Sequence, residues 1–258
     1  METDRLEQHV FQLEKIRTQE IIQRFLRPSM SIADIGGATG VYSFWLHQMG
    51  HEVHLLDAAE FHIEMAKQRS TQQNKPLASI THGDARKLPY RSEQFDLVLL
   101  FGPFYHLQDK NDRIKCIEEA RRVLKPGGVL LVAAISRYAS LFDGFWQGFM
   151  DDSAFEKIMQ QDLQDGNHSN PTDNMNYFTD AHFHTQQEMQ EEFTAGGFNR
   201  FSTIAVEGFG WLVPGFMERW DEAEWRNKLL QYIRRTEADP AMTAISAHVI
   251  TIAKNNSA

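Results

Sequence analysis

Apolar and polar positions change period repeatedly along the chain, which predicts strands and helices in alternation. The stretch Ser31–Ile35 favours β-structure and is followed by small residues up to Gly40. Apolar residues then recur at helical spacing over 41–49. Residues 95–101 are almost continuously apolar, which is typical of a strand buried on both faces. Strands that alternate with helices in this way predict a parallel α/β sheet.

The other segments follow the same alternation. The predicted strands are 31–35, 52–56, 78–82, 95–101, 129–135, 200–207 and 247–253. The predicted helices are an N-terminal amphipathic segment that begins at Leu6 and ends at Pro28, and then 41–49, 60–70, 109–124, 186–194 and 216–235. Together these elements predict one sheet with helices packed against both of its faces.

The composition indicates a globular protein with an acidic balance. The chain has 258 residues, of which 42% are hydrophobic, and its formal net charge is -9. Because an acidic chain repels phosphate backbones, a nucleic-acid partner is disfavoured. The single cysteine, Cys116, fits a reducing cytoplasm. No apolar run approaches the ~20 residues of a membrane span, so we predict a cytoplasmic chain with no membrane partner. The sequence leaves the oligomeric state open.

The first strand and the small residues after it form a candidate binding turn. Backbone N–H groups point out of a helix N-terminus, and the helix dipole favours a polar or anionic group there. The small residues fall at Gly36, Ala38 and Gly40. A dinucleotide-binding turn needs its next glycine at the position held by Val41, so its pattern is not met.

This stretch resembles the acid-x-Gly-x-Gly-x-Gly loop of class I S-adenosylmethionine-dependent methyltransferases, with Asp34 as the acid and Ala38 at the middle glycine. A helix, the residues Lys-Pro-Gly-Gly at 125–128 and a strand form a second feature typical of that family. The resemblance covers about 32–135. It implies a doubly wound, seven-stranded and mostly parallel sheet, whose last strand lies antiparallel between the fifth and sixth.

The resemblance also implies the cofactor, S-adenosyl-L-methionine, and the residues that bind it. The first strand and its turn would hold the amino-acid end of the cofactor. Asp57, the acid after the second predicted strand, would bind the ribose, and Asp84, the acid after the third, would bind the adenine. The expected cofactor-binding residues are Arg17, Asp34, Gly36, Gly37, Ala38, Thr39, Gly40, Asp57, Ala58, Gly83, Asp84, Ala85, Phe101 and Gly102.

Three of these side chains have a structural alternative. Asp57 stands ~20 residues past the glycine turn, where α/β nucleotide folds place a ribose-binding acid, but it could also cap the helix that follows. Asp84 could be an ordinary turn aspartate. Arg17 could be a solvated arginine, or its guanidinium could bind the methionine carboxylate of the cofactor.

The loop after the strand at 95–101 carries the candidate catalytic residues, His106 and Tyr105. In a doubly wound sheet this loop faces the ligand, so either side chain could act as a general base on a hydroxyl acceptor. Packing at the loop is the alternative. Gly102 stands where amino methyltransferases of nucleic acids carry an acid or amide, so the motif of those enzymes is not met here.

His182 and His184 alternate like half a metal site, but no partner cluster is visible in the sequence, so we predict no metal.

The chain divides into a cofactor-binding core at 1–135, an insertion at 136–185, and a completion of the core at 186–258 with a second helical insertion near 209–240. The first insertion exceeds the usual loop length and is rich in large apolar residues. It is expected to be a helical cap over the substrate mouth, or alternatively a dimer interface.

The predicted function is methyl transfer to a small-molecule acceptor by in-line displacement. A nucleic-acid or protein methyltransferase on the same fold is an alternative, and so is a non-enzymatic cofactor-binding protein.

Overall fold

The computed structural model describes residues 9–72 and 76–256, so Leu6 and the rest of the predicted segment's start lie outside it. Its strands are β1 Ser31–Ile35, β2 Glu52–Asp57, β3 Ser79–His82, β4 Phe95–Leu100, β5 Leu124–Ser136, β6 Asn167–His168, β7 Ala181–His184, β8 Phe201–Ala205 and β9 His248–Lys254. Its helices are α1 His9–Gln23, α2 Val41–Gln48, α3 Glu60–Thr71, α4 Pro103–His106, α5 Lys110–Val123, α6 Ala139–Gln147, α7 Ser153–Asp165, α8 Gln186–Ala195, α9 Phe216–Arg219, α10 Ala223–Thr236 and α11 Pro240–Ile245.

The central sheet has the predicted doubly wound arrangement. Strands β1 to β5 pair in parallel in the order β3-β2-β1-β4-β5. Strand β9 then lies antiparallel between β5 and β8, as expected for the last strand. The end of β5 also pairs with β7, and β7 pairs with β6, so the sheet continues beyond the seven predicted strands. The predicted fold class is confirmed.

The central strands are buried on both faces, which explains their continuous apolar sequences. In β1, Ile32 packs into one hydrophobic cluster and Ala33 into the cluster on the opposite face. In β4, Leu97 and Val98 divide in the same way. Helices cover both faces, so the loops at the strand ends are the parts of the sheet that remain open to a ligand.

Two of the predicted elements differ from the structure in ways that affect the fold. Strand β5 begins at Leu124 rather than at 129, because Gly127 donates a hydrogen bond to the carbonyl of Asn255 (2.6 Å) and Asn255 donates to that of Gly128 (2.9 Å). The Lys-Pro-Gly-Gly stretch is therefore tied to the chain after β9. The helix predicted at 216–235 is two helices, α9 and α10.

The insertion at 136–185 consists of α6, α7 and the short hairpin β6–β7, with a small apolar cluster of its own around Phe155 and Tyr177. Strand β7 attaches it to the end of β5. None of the described helices combines the length and the apolar content that crossing a bilayer requires.

Candidate functional site

A cleft of about 400 Å³ lies at the edge of the sheet where the parallel strands end. One side, here called the turn wall, consists of residues 36–38, 57–58, 62 and 83–86, which lie at the ends of β1, β2 and β3 or just beyond them. The other side, here called the far wall, consists of Glu14, Thr18, Val206, His248 and Ile250. Because β9 is antiparallel, its first residue, His248, reaches the same edge as the ends of β1 and β4.

The turn after β1 is fixed by its backbone conformation. Gly36 has φ +74°, and a Cβ there would lie 2.1 Å from Cδ of Pro103, so a glycine is required. The backbone N–H of Gly36 donates to the carbonyl of Leu56 (2.7 Å), which ties the turn to β2. Ala38 also has a positive φ, +45°, and it adopts a conformation that favours glycine. The main chain of the turn therefore forms one side of the cleft.

Asp57 joins this turn to the start of α3. Its Oδ2 accepts a hydrogen bond from the N–H of Ala38 (2.8 Å), and its Oδ1 accepts one from the N–H of Ala59 (2.8 Å). Nδ1 of His62 lies 3.1 Å from the same Oδ1. The carboxylate thus fulfils a local role near the helix start and also lines the cleft. The two roles proposed from the sequence are compatible.

Asp84 lines the same cleft as Asp57 and is about half exposed. Its carboxylate accepts hydrogen bonds from Arg86, at 3.0 Å from Nε and 2.6 Å from one terminal nitrogen. The hydrogen bonds from Arg86 hold the pKa of Asp84 below its ordinary value, although burial opposes this. Both carboxylates therefore flank one crevice, with main chain between them.

Most of the predicted site residues lie together. The cleft is lined by Asp34, Gly36, Gly37, Ala38, Asp57, Ala58, Gly83, Asp84, Ala85, Phe101, Gly102, Tyr105 and His106. Thr39 and Gly40 are not among its lining residues. Gly40 instead precedes α2, where a Cβ would lie 2.8 Å from the ring of Phe44.

The structure does not support the predicted role of Arg17 in cofactor binding. Its side chain is fully buried, and its guanidinium is hydrogen-bonded to Glu20, Glu237 and the carbonyl of Val206. Arg17 is not among the residues that line the cleft, and its buried guanidinium is engaged by protein groups, so the structure supports neither a solvated arginine nor one that binds a cofactor carboxylate. It instead fixes α1 against the end of β8.

His106 and Tyr105 both line the cleft, at the end of α4. Nδ1 of His106 lies 3.2 Å from the carbonyl oxygen of Asp180, and its ring stacks on that of Phe178 at 6.2 Å. Burial lowers the pKa of His106, so its ring is neutral at pH 7. Residues 136–185 contact the site here, but among the described residues none of them lines the cleft. The insertion therefore reaches the cleft through His106 and contributes no lining residue of its own, and its role as a cap stays a prediction.

The sequence analysis missed the far wall. Its members are Glu14, Thr18, Val206, His248 and Ile250, and Glu207 is buried behind His248. The available signal was the predicted antiparallel position of the last strand, which pairs His248 with Ile135 at the end of β5. His62 and Arg86 were missed on the turn wall.

His182 and His184 acquire a partner that the sequence did not reveal. They lie near Glu192, with one possible ligand atom of each residue within 4.8 Å of the others. Arg113 is hydrogen-bonded to both oxygens of Glu192, so this carboxylate is already paired. Burial is the main cause that lowers the pKa of His182 to about 3, and burial also lowers the pKa of His184. The arrangement is a buried ion pair flanked by neutral histidines.

Known proteins resemble the core of the chain. A family model of a methyltransferase domain matches residues 33–132. The probable tRNA methyltransferase 9B of Bos taurus is 33% identical over 116 residues, which cover 43% of this chain and 23% of that protein. The ubiquinone/menaquinone biosynthesis C-methyltransferase UbiE of Laribacter hongkongensis is 34% identical over 116 residues, covering 43% of this chain and 46% of that protein. The chain thus matches less than half the length of either relative.

Solved structures share the fold over most of the chain. An S-adenosylmethionine-dependent methyltransferase of Mesorhizobium loti has a TM-score of 0.61 at 13% identity and covers 94% of this chain and 99% of its own. One from Methanosarcina mazei has a TM-score of 0.60 at 19% identity, covering 91% and 96%. Residues 33–132 thus match a methyltransferase domain, and the fold of the chain is shared with solved S-adenosylmethionine-dependent methyltransferases.

Proposed function

We propose that this chain, built around a class I methyltransferase domain, transfers a methyl group from S-adenosylmethionine to a small-molecule acceptor. The observation that carries the proposal is the position of Asp57 and Asp84, which line a single cleft on either side of exposed main chain. A carboxylate at the end of β2 and another after β3 suit the two polar ends of an adenosine, which are its ribose hydroxyls and its adenine amino group.

The residues present fit this cofactor. Gly36 and Gly37 leave the main chain of the turn open for its amino-acid end. Oδ2 of Asp57 accepts one backbone hydrogen bond and retains an acceptor position for a ribose hydroxyl. The second hydroxyl would replace His62 at Oδ1. Asp84, with the N–H of Ala85, would bind the adenine edge.

The sulfonium of the cofactor makes its methyl group electrophilic, so the protein mainly has to align the acceptor and exclude water. We assign that alignment to the loop after β4. Tyr105 and His106 line the cleft there, beyond the turn wall. His106 is the proposed base for an acceptor hydroxyl, since its ring is neutral at pH 7.

The cleft and the charge of the chain favour a small acceptor. A volume of about 400 Å³ is in the range of small-molecule sites. The net charge of -9 opposes binding to a phosphate backbone. One relative is named a tRNA methyltransferase, so RNA is the second candidate. Methylation of RNA that falls steeply as salt rises would favour that candidate.

Calorimetric titration of S-adenosylmethionine tests the proposal. We expect wild type to bind and Asp57→Asn to bind about tenfold to a hundredfold more weakly, since a hydrogen bond to a charged group contributes ~1.5–3 kcal/mol. Asp173→Asn is the matched control, because Asp173 is exposed in the insertion, away from the cleft. Absence of binding by wild type, or equal binding by both variants, contradicts the proposal.

A further inference from the structure

Two residues of the insertion at 136–185 contact the ring of His106, which lines the cleft. The ring of Phe178 lies nearly parallel to that of His106, with 13° between the planes and 6.2 Å between the centroids. The carbonyl oxygen of Asp180, the residue before β7, lies 3.2 Å from Nδ1 of His106. The insertion therefore restrains this side chain by a ring contact and by a hydrogen bond.

The hydrogen bond decides which ring nitrogen of His106 carries the proton. A carbonyl oxygen only accepts, so Nδ1 is the donor. In the neutral ring the lone pair is then on Nε2, which has no hydrogen-bond partner among residues 9–72 and 76–256 that the structure describes. A neutral imidazole in water favours the opposite tautomer, so the position of the proton here is set by the carbonyl of Asp180.

Phe178 adopts a backbone conformation that favours glycine. Its φ is +67° and its ψ is 174°, a region in which a side chain is strained. The side chain is 37% exposed, so burial in the core does not explain why a large apolar residue stands there. Its ring contacts His168 and Phe183 within the insertion and His106 at the cleft. Because strained residues persist where their contacts offset the strain, the ring of Phe178 is the feature that requires an explanation.

The loop that carries these two residues is fixed by hydrogen bonds of its own. Nδ2 of Asn170 donates to the carbonyl oxygens of Asn174 (2.9 Å) and Phe178 (3.0 Å). Oγ of Ser169 donates to Oδ1 of Asp180 (3.1 Å). The ring of Phe178 and the carbonyl of Asp180 are thus both presented to the cleft by an ordered loop, which is what the positioning of a side chain in the cleft requires.

We propose that Phe178 is a positioning residue for His106 and that, together with the carbonyl of Asp180, it keeps Nε2 of His106 as the basic nitrogen of the site. The inference rests on the proposed function, in which His106 is the base for an acceptor hydroxyl. Nε2 takes the hydroxyl proton, the oxygen forms its bond to the transferred methyl carbon, and the electron pair of the broken S–C bond stays on sulfur. Nδ1 keeps its hydrogen bond to Asp180 in the resulting imidazolium, so the ring does not have to turn during the transfer.

Nitrogen-15 NMR of the histidine rings tests the proposal on protein that has been mixed with S-adenosylhomocysteine. The chain has 11 histidines, and the signals that are missing from His106→Gln identify those of His106. At about pH 8, where histidine is neutral, the unprotonated ring nitrogen resonates well downfield of the protonated one. We expect the downfield nitrogen of His106 to be Nε2, which is the opposite of an unrestrained histidine.

Variants of Phe178 separate positioning from packing. Phe178→Ala should shift the ratio of the two His106 tautomers about tenfold towards a proton on Nε2, the size expected of one lost hydrogen bond. Phe178→Tyr keeps an aromatic ring and should keep the wild-type tautomer. Phe178→Gly also relieves the backbone strain, so it should show the shifted tautomer and unfold at a higher urea concentration than Phe178→Ala. Phe145→Ala is the matched control, because Phe145 is 69% exposed on α6 of the same insertion, and it should leave the tautomer unchanged.

The outcomes separate the two proposals. Failure of wild type to bind S-adenosylhomocysteine contradicts the proposed function itself. Binding of S-adenosylhomocysteine by a wild type whose His106 is protonated on Nε2 overturns only the positioning role, and so does a folded Phe178→Ala variant with the wild-type tautomer. If Phe178→Ala does not fold, Phe178→Gly provides the same tautomer test. A Phe178→Gly variant that is less stable than Phe178→Ala would also overturn the proposal, since the strain that argues for the ring would then be absent.

Discussion

The two walls of the cleft are built in different ways. The turn wall comes from loops that directly follow β1, β2 and β3, and much of it is main chain. The far wall is made of side chains from α1, β9 and the residue after β8, and its most distant members, Glu14 and Ile250, are 236 residues apart in the sequence. The turn wall can therefore be derived from local sequence, whereas the far wall forms only when the complete fold is assembled.

The variant with the largest expected effect, Gly36→Ala, disrupts the turn wall. In Gly36→Ala the new Cβ would overlap Pro103, and the residue would be held at φ +74°. We expect a loss of about 4 kcal/mol in the free energy of unfolding and no measurable cofactor binding. Gly148→Ala is the control, because Gly148 has φ +75° with open space around it. Urea unfolding and calorimetry should show a loss of at most ~2 kcal/mol and unchanged cofactor affinity for the control. Similar behaviour of the two variants would refute the steric argument.

The variant with the next largest expected effect, Arg17→Met, removes contacts that hold α1 and the far wall in place. Arg17→Met removes the buried guanidinium that joins α1 to Val206 and Glu237. Because Glu20 and Glu237 keep Arg234 and Arg24 as partners, we expect a loss of about 2–3 kcal/mol in unfolding free energy. The folded variant should bind the cofactor normally.

Arg24→Met provides the comparison for that experiment, since Arg24 makes its ion pair with Glu237 at the surface. It should cost less than ~1 kcal/mol. If Arg17→Met cost no more than Arg24→Met, or weakened cofactor binding directly, Arg17 would not have the structural role assigned to it.

The insertion at 136–185 is a third region for the comparison. Through His182 it makes the free energy of unfolding of the protein depend on pH. The pKa of His182 is about 3 in the folded protein, compared with an ordinary value of 6.5. Between these values the unfolded chain binds a proton that the folded chain does not, so stability falls as pH falls. We expect a contribution of up to ~1.4 kcal/mol per pH unit between pH 6 and 5. Urea unfolding of His182→Gln over this range should give a shallower slope. An unchanged slope would contradict the assignment.

The smallest effect concerns the alanine in the glycine turn. Ala38 has φ +45°, where an L-residue costs ~1–2 kcal/mol and glycine almost nothing. Glycine loses ~0.5–1 kcal/mol through chain entropy, so Ala38→Gly should change the unfolding free energy by less than about 1 kcal/mol, towards greater stability. Thermal unfolding measures this change. A clearly destabilised variant would mean that the methyl group of Ala38 makes a contact the cleft needs.

The difference between the walls also explains what the sequence could predict. Asp57 and Asp84 each follow a recognisable strand, so their positions at the cleft could be derived from local patterns and the order of elements. Arg17 could not, because its partner Glu237 is separated from it by most of the chain. His248 carries no motif, and its position in the far wall depends on a hydrogen bond with Glu207 that forms only when β8 and β9 are adjacent.

A crystal structure with S-adenosylmethionine tests the central claim most directly. The account predicts ribose hydroxyls on Asp57, the adenine beside Asp84 and Ala85, and the methyl group directed towards His106. An adenosine bound anywhere other than between Asp57 and Asp84 would contradict it.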